Sequence, residues 1–192
     1  MHIGLFFGSF NPVHTGHMIL ANYMLEFAGP ERIWFVVSPH NPLKEKSTLL
    51  ADHHRMQLVR LAVEGHSKMK ASKIEFGLPQ PSYTVNTLAH LTEKYPEHTF
   101  SLIMGSDNLE SLPKWKNYQV ILEHHKLLVY PRAGSDGGSL KNNASVIMTA
   151  APCIEVSASF LREAIRTKKD LRYFFPEAVW EYILAMGFYK KQ

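Results

Sequence analysis

The sequence predicts an α/β protein with a Rossmann-like, doubly wound and mainly parallel sheet that carries helices on both faces. Short β-rich apolar runs alternate with longer helical patterns along the chain, and polar residues follow the ends of several runs. Strands that alternate with helices are typical of parallel sheets with right-handed crossovers. Such sheets bind ligands beyond the carboxyl ends of their strands, so the polar residues at those ends form the candidate site.

The first half of the chain predicts three strand–helix pairs. The strands are expected at about 2–7, 33–37 and 70–76, the second because a continuous apolar run suits a strand buried on both faces. The helices are expected at about 18–27, 52–64 and 84–95, with Asp52 as the N-cap of the second. Glycine and proline residues follow or interrupt these segments and define their ends.

The second half predicts shorter strands and a helical C-terminal part. The strands are expected at 99–104, 126–130, 145–149 and 153–156, and the helices at about 158–168 and 176–186. Residues 133–143 hold three glycines and two adjacent asparagines and are expected to form a flexible loop. The length of 192 residues fits one domain over 1–192, with its helical part from about 157.

Composition narrows the class of protein. The chain has 21 Lys and Arg against 17 Asp and Glu, a net charge of +4 that suits anionic ligands without selecting one. It shows no Lys/Arg run of the length of a nucleic-acid-binding tail and no membrane span, so neither nucleic acid nor a membrane is an expected partner. Cys153 is the single cysteine, which excludes an intrachain disulfide. A cytoplasmic location is expected, and a homo-oligomer is compatible with the sequence.

The loop after the first strand carries the clearest chemical signal. Gly8 and Ser9 offer a tight turn with backbone N–H groups, and a helix N-terminus favours an anion. His14 and His17 are three residues apart, so both rings are expected on one face of that helix. A metal site on this pair lacks an obvious carboxylate to complete it, and the loop therefore predicts a phosphate site. Three other predicted strand ends also carry polar residues, at 38–46, 105–107 and 157–162.

Two segments resemble the signatures of the nucleotidylyltransferase superfamily. Residues 8–17 read Gly-Ser-Phe-Asn-Pro-Val-His-Thr-Gly-His and match its form G-[ST]-F-[DN]-P-x-[HT]-x-G-H. Residues 156–162 read Val-Ser-Ala-Ser-Phe-Leu-Arg and resemble I-S-S-T-x-I-R, with Ala158 in place of a serine and Ser159 in place of a threonine. Ser157 and Ser159 must then supply the hydroxyl groups, and Arg162 matches the arginine that grips the ATP phosphates.

The middle of the chain resembles one family within it, the bacterial nicotinate-nucleotide adenylyltransferases. Four segments carry the resemblance: 39–44 with Lys44, 81–88 with Tyr83 and Thr84, 105–107 with Gly105 and Asp107, and 113–116 with Trp115. The C-terminal part, 175–189, is also similar, so the resemblance spans essentially the whole chain. It implies adenylyl transfer from ATP to nicotinate mononucleotide, which gives deamido-NAD and pyrophosphate, with both substrates as the expected partners.

The resemblance implies a role for each candidate residue. His14, His17, Lys44 and Arg162 are expected to stabilise charge during the reaction. Lys44, Tyr83, Thr84 and Trp115 are expected to bind the nicotinate nucleotide, with Trp115 stacking on its ring. No protein side chain is expected to ligate a metal directly, since Mg²⁺ would arrive on the ATP phosphates. The residues expected at ATP are Gly8, Ser9, Phe10, His14, His17, Gly105, Asp107, Ser157, Ser159 and Arg162.

Other functions stay open at this level. The same chemistry on nicotinamide mononucleotide or phosphopantetheine is one alternative, although residues 81–88 and the length count against phosphopantetheine. A non-catalytic nucleotide sensor on this fold is another, because Ala158 departs from the signature. A dinucleotide-binding oxidoreductase is disfavoured because no G-x-G-x-x-G follows the first strand.

Overall fold

The structure is a computed structural model that describes residues 1–39 and 49–190. Its six described strands form one sheet in the order β3-β2-β1-β4-β5-β6, and every neighbouring pair is parallel. This confirms the predicted Rossmann-like sheet. The strands are β1 His2–Gly8, β2 Arg32–Val37, β3 Met69–Ser72, β4 Thr99–Gly105, β5 Lys126–Tyr130 and β6 Val146–Met148.

Seven α-helices lie among the described residues, together with short 3₁₀ turns. They are α1 Thr15–Phe27, α2 Asp52–Val63, α3 Thr84–Lys94, α4 Ser106–Ser111, α5 Tyr118–His124, α6 Ala158–Arg166 and α7 Glu177–Met186. None of the helices in the described part is long and apolar enough to cross a bilayer.

Two apolar clusters cover the two faces of the sheet. On one face, Phe35 of β2 packs with residues of α1, α2, α6 and α7. On the other, Trp34 and Val36 of the same strand pack in a cluster that includes residues of α3, α4 and α5. Consecutive residues of β2 therefore face opposite layers, as the continuous apolar run predicts for a strand buried on both sides.

Three details of the sequence-based prediction are wrong. Ala51 rather than Asp52 is the N-cap of α2, and Asp52 is its first helical residue, where its carboxylate accepts from Arg55 at 2.5 Å. The short helices α4 and α5 were not expected. Residues 153–156 form no strand, because the segment lines a cavity and the carbonyl of Ile154 accepts from the Arg132 guanidinium at 3.1 Å.

The strand order places one crevice at the centre of the sheet. The chain leaves β1 towards β2 on one side, while β4 pairs with β1 on the other. The crossovers on the two sides of this point cover opposite faces, which leaves an opening at the carboxyl ends of β1 and β4. The loop at 9–14 and the start of α4 both lie at this opening.

Candidate active site

A cavity of about 430 Å³ lies at the carboxyl ends of the central strands. Its size is within the range of small-molecule sites. Among residues 1–39 and 49–190, its lining contains cationic, imidazole and hydroxyl side chains but no aspartate or glutamate. The predicted residues that line it are Gly8, Ser9, Phe10, His14, His17, Ser157, Ser159 and Arg162. Residues 8–17 and 156–162, which are far apart in the sequence, thus form one site.

The rings of the two histidines lie against each other at the N-terminus of α1, on one face as their spacing predicts. Their ring centroids are 3.8 Å apart. The backbone N–H of His14 donates to Nδ1 of His17 at 3.2 Å, a contact of the capping-box kind between the N-cap and the third helical residue. Since Nδ1 of His17 accepts, a neutral His17 ring carries its proton on Nε2. His17 therefore presents a hydrogen-bond donor from the ring edge opposite the cap.

His14 is neutral at physiological pH. Only 4% of the residue is exposed, and burial lowers its pKa to about 4, with a further contribution from the charge of Arg132. Its Nδ1 is buried without a hydrogen-bond partner among the residues that the structure describes. A Cβ on Gly16 would lie 3.0 Å from this Nδ1 and 2.8 Å from Cγ2 of Ile154, so the absence of a side chain at Gly16 allows the ring to lie here. A neutral, desolvated imidazole supplies a directed hydrogen bond rather than a charge.

The buried ring of Phe10 supports the loop that follows β1. Its ring is buried, and it packs edge-on against His17 with centroids 5.2 Å apart. Its φ of 45° is in the left-handed region, which is uncommon for a residue with a side chain. A Cβ on Gly8 would lie 2.9 Å from the Phe10 ring. Gly8 and Phe10 therefore fold the loop tightly beneath the histidines.

Arg162 joins the C-terminal signature to the first loop. Its Nη1 donates to the backbone oxygen of Asn11 at 2.8 Å, and its Nη2 donates to the hydroxyl of Ser159 at 3.2 Å. The hydroxyl of Ser157 caps α6 by accepting from the amide of Phe160 at 3.2 Å. Both hydroxyl oxygens thus act as acceptors, and each hydroxyl group still has its own proton to donate to an anion. The amides of Ala158 and Ser159 are in the first turn, whose N–H groups have no partner within the helix.

Arg132 is a cavity residue that the sequence reasoning missed. It follows β5, and its backbone N–H donates to the hydroxyl of Ser106 at 3.0 Å. Its Nε lies 3.7 Å from Oδ1 of Asp107. A Cβ on Gly105 would lie 2.3 Å from the same oxygen and 2.9 Å from Cγ of Arg132. Gly105 and Asp107 therefore lie next to Arg132, but neither is among the lining residues of the cavity.

Asn11 connects the first loop to distant parts of the chain. Its Oδ1 accepts from the amide of Leu50 at 3.2 Å and from the hydroxyl of Tyr189 at 2.8 Å. Burial raises the pKa of the Tyr189 hydroxyl, which therefore stays a donor. The C-terminal residues thus support the loop that carries the histidines, a contact that the sequence reasoning did not anticipate.

Arg55 fixes the loops that follow β1 and β2 from inside the protein. Its side chain is fully buried, and it donates to the carbonyls of Ser9 and Ser38, both at 2.7 Å. It also donates to the carbonyls of Pro39 at 3.1 Å and Leu50 at 3.0 Å. These bonds satisfy a charge that would be costly to bury alone. The loop after β1 is therefore held by a rigid internal cation.

The residues expected to bind the nicotinate nucleotide lie elsewhere. Tyr83, Thr84 and Trp115 are not among the lining residues of the cavity, and Lys44 lies outside the described residues. Tyr83 is the N-cap of α3, and the Nζ of Lys116 lies 4.5 Å from the centroid of its ring. The segments around Tyr83 and Trp115 therefore lie side by side. Trp115 is partly buried against the core, and its Nε1 has no hydrogen-bond partner in the described part of the chain.

The described residues hold no group of three or more His, Cys, Asp or Glu side chains that could bind a metal ion. Asp107 is the carboxylate that lies beside the cavity, where it faces the guanidinium of Arg132. The side chains of this site therefore favour anionic ligands over a bare cation.

Comparison with known proteins decides the family. Residues 5–164 match the Cytidylyltransferase-like family. A curated relative from Flavobacterium johnsoniae, named probable nicotinate-nucleotide adenylyltransferase, is 55% identical over 193 residues and covers 100% of both chains. The chain belongs to the nicotinate-nucleotide adenylyltransferase family. A further relative of that name from Bacteroides fragilis is 46% identical, over 94% of this chain and 90% of the relative.

A solved structure shares the fold. The Plasmodium falciparum nicotinic acid mononucleotide adenylyltransferase complexed with NaAD superposes with a TM-score of 0.82, at 20% sequence identity. The match covers 98% of this chain and 97% of that one. The membership of the nicotinate-nucleotide adenylyltransferase family and the Rossmann-like fold, both expected from the sequence, are confirmed.

Proposed function

We propose that this chain transfers the adenylyl group of MgATP to the phosphate of nicotinate mononucleotide, giving deamido-NAD and pyrophosphate. The observation that carries the proposal is the meeting of His14, His17, Arg132 and Arg162 in one cavity, whose described lining residues include no carboxylate. Such a lining suits a polyphosphate. The names of relatives at 46–55% identity support the acceptor.

The reaction is a substitution at the α-phosphorus of ATP. A non-bridging oxygen of the mononucleotide phosphate forms a bond to that phosphorus, and the bond to the bridging oxygen between the α and β phosphates breaks. Pyrophosphate leaves with the electron pair. The attacking phosphate monoester has its second pKa near 6 and is mostly dianionic at pH 7, so no general base is required. The protein must instead bring two mutually repelling anions into line and stabilise the charge that develops.

The residues of the cavity supply two kinds of stabilisation, permanent positive charge and directed hydrogen bonds. Arg132 and Arg162 provide permanent positive charge and planar donors for phosphate oxygens. The Nε2–H of His17 and the neutral ring of His14 provide directed hydrogen bonds at the N-terminus of α1. A desolvated donor that is held in place before the reaction costs no reorganisation in the transition state. Lys44, which lies outside the described residues, would add a further cation.

The N-terminus of α6 is suited to the pyrophosphate. The first-turn amides of Ala158 and Ser159, together with the hydroxyl protons of Ser157 and Ser159, are donors beside Arg162. Because the backbone N–H of residue 158 remains whatever its side chain, replacement of the signature serine by Ala158 removes one hydroxyl and leaves the anion site. Mg²⁺ enters as part of MgATP, bound by phosphate oxygens and water.

The acceptor subsite is proposed near the start of α3. The backbone N–H groups of Thr84 and Val85, in the first turn of α3, suit the carboxylate of a nicotinate ring. The indole of Trp115 suits stacking on the ring, because the segment around Trp115 lies beside Tyr83. The amide of nicotinamide offers this helix end no negative charge, so the nicotinate form should be preferred.

The test is pyrophosphate release with MgATP and three acceptors offered in parallel: nicotinate mononucleotide, nicotinamide mononucleotide and phosphopantetheine. The proposal predicts a kcat/KM for nicotinate mononucleotide at least about tenfold above that of either other acceptor, because a charge-assisted hydrogen bond discriminates by about that factor. Preference for another acceptor would refute the assignment of Tyr83 and Thr84. No turnover with any acceptor, in protein that still binds ATP, would refute catalysis and favour a nucleotide sensor.

A further inference from the structure

A second cavity lies at the edge of the sheet formed by β3. It has a volume of about 610 Å³ and shares no lining residue with the cavity described above. One wall comes from Trp34 of β2 and from residues 70–74 and 76–78, and the other from the C-terminal half of α3. We call this cavity the α3 groove; the residues that matter for its chemistry are Trp34, Lys70, Lys73, His90, Lys94 and Tyr95.

The described lining of the α3 groove is positively charged. Lys70, Lys73 and Lys94 line it together with His90, and none of the lining residues that the structure describes is aspartate or glutamate. Within the described ranges, none of these four side chains takes part in an ion pair. Burial lowers the pKa of Lys70, and the charge of Arg32 lowers it further. Three ammonium groups beside one cavity repel each other, and a bound anion would relieve that repulsion.

Trp34, one of the residues that line the groove, carries a buried polar group without a described partner. Only 4% of Trp34 is exposed, and its Nε1 is buried with no hydrogen-bond acceptor among residues 1–39 and 49–190. The Nζ of Lys70 lies 3.5 Å above the indole ring, and Tyr95 packs edge-on against the same indole with centroids 5.3 Å apart. Buried donors are rarely left without acceptors. The lining residues thus supply aromatic surface and a desolvated cation, and one of them carries an unsatisfied donor.

We propose that the α3 groove binds a small phosphate-bearing anion of about the size of a mononucleotide. A phosphate group offers several acceptor oxygens and can engage more than one ammonium group at once. The volume is within the range of sites for such molecules, and the aromatic side chains offer a surface for a planar base. On α3, the groove residue nearest to Tyr83 and Thr84 is His90, about 9 Å from Thr84 along the helix axis. Tyr83, Thr84 and Trp115 do not line the groove, and it shares no described lining residue with the cavity at the carboxyl ends of the strands.

The experiment is isothermal titration of the whole protein with two probes, inorganic pyrophosphate and AMP. The double variant Lys70→Gln/Lys94→Gln removes two groove cations, and Lys126→Gln/Lys169→Gln is a control with the same change of net charge outside both cavities. The wild-type protein and the control should bind at two sites for at least one probe. The groove variant should lose one site, or bind there at least about tenfold more weakly, and keep the other unchanged.

The two probes and a third variant separate the outcomes. A second site for pyrophosphate alone identifies bare phosphate as the ligand chemistry, and a second site for AMP alone identifies a nucleotide. With Arg162→Ala, the groove site should persist while the other site weakens, so a failure of the proposed catalytic site is distinguishable from a failure of the groove. A single wild-type site that Arg162→Ala removes and Lys70→Gln/Lys94→Gln does not would overturn the proposal. Equal loss in the groove variant and the control would also overturn it.

Discussion

Replacement of His17 by asparagine should separate its two roles, as a helix cap and as a donor to phosphate. Nδ1 of His17 accepts from the backbone N–H of His14 at 3.2 Å, and the tautomer that this contact selects carries the proton on Nε2. The Oδ1 of an asparagine lies close to the position of Nδ1 and preserves the cap, but the side chain ends before it reaches the position of Nε2. His17→Asn therefore removes the donor and retains the acceptor, whereas His17→Ala removes both.

The magnitudes follow from the two contacts. Loss of one preorganised donor to developing charge lowers kcat by about 10²–10³-fold in both variants. Loss of the cap hydrogen bond costs about 1 kcal/mol and occurs in His17→Ala alone. In a protein of this length, that loss lowers Tm by about 2–4 °C. We thus expect equal kinetic defects and unequal stabilities.

The assay is steady-state pyrophosphate release with saturating MgATP and nicotinate mononucleotide, together with calorimetric Tm for each variant. If His17→Asn kept kcat within about threefold of wild type, His17 would be a cap and nothing more. If KM for ATP rose while kcat stayed unchanged, His17 would bind ground state and transition state equally, and its assignment to the transition state would be wrong.

Four further results are expected. The folded-state pKa of about 4 for His14 lies below its unfolded value of 6.5, so the unfolded state takes up the proton first as pH falls. Between pH 7.5 and pH 5, the free energy of unfolding in urea should therefore decrease by about 2 kcal/mol more for the wild type than for His14→Asn. Parallel losses in the two proteins would refute the argument that burial lowers the pKa of His14. Gly105→Ala forces a 2.3 Å contact with the carboxylate of Asp107 and should raise the KM for ATP about tenfold by displacing Arg132, whereas Gly77→Ala, which meets nothing within 4 Å, should leave it unchanged; equal kinetics of the two variants would contradict this. Tyr189→Phe removes the hydrogen bond to Asn11 and should lower Tm by about 2–4 °C, while Tyr173→Phe, at a residue that is 90% exposed, should have no effect; no difference in Tm between them would show that the contact contributes nothing. Trp115→Ala should weaken nicotinate mononucleotide far more than ATP in competition binding, and equal losses would refute its placement in the acceptor subsite.

Local patterns in the sequence predicted much of the fold and part of the site. The run at 33–37 predicts a strand buried on both faces because burial on two layers leaves no polar alternation, and β2 has that form. The contact between the rings of His14 and His17 follows from a spacing of three residues at a helix start, which is a local property. The helices α4 and α5 were missed because six and seven residues are too few to show a helical period.

The features that were missed depend on contacts between distant segments. Arg55 lies on the buried stripe of α2 with Met56, Val59 and Val63, and an arginine in that register was the available signal for an internal cation. Arg132 follows the end of β5, the kind of position that the strand-end argument singled out for four other strands. The contact of Tyr189 with Asn11 joins residues 178 positions apart, and no local pattern predicts it.

Residues 153–156 alternate as a strand would, but they do not form the expected strand. Ile154 and Val156 both line the cavity, so the alternation of the segment is real. The carbonyl of Ile154, however, accepts from Arg132 rather than from a neighbouring strand. An alternating pattern indicates which side chains face inward. Such a segment forms a strand only when its backbone also pairs with the edge of a sheet.

The most direct test of the central proposal, attack by the acceptor's phosphate on the α-phosphorus of ATP, follows the oxygen atoms. Nicotinate mononucleotide labelled with ¹⁸O in the three non-bridging positions of its phosphate is converted with unlabelled MgATP, and both products are analysed by mass spectrometry. The account predicts that all three labelled oxygens appear in deamido-NAD, one of them in the new bridge, and that pyrophosphate carries none. Label in pyrophosphate, or deamido-NAD that lacks one labelled oxygen, would contradict it.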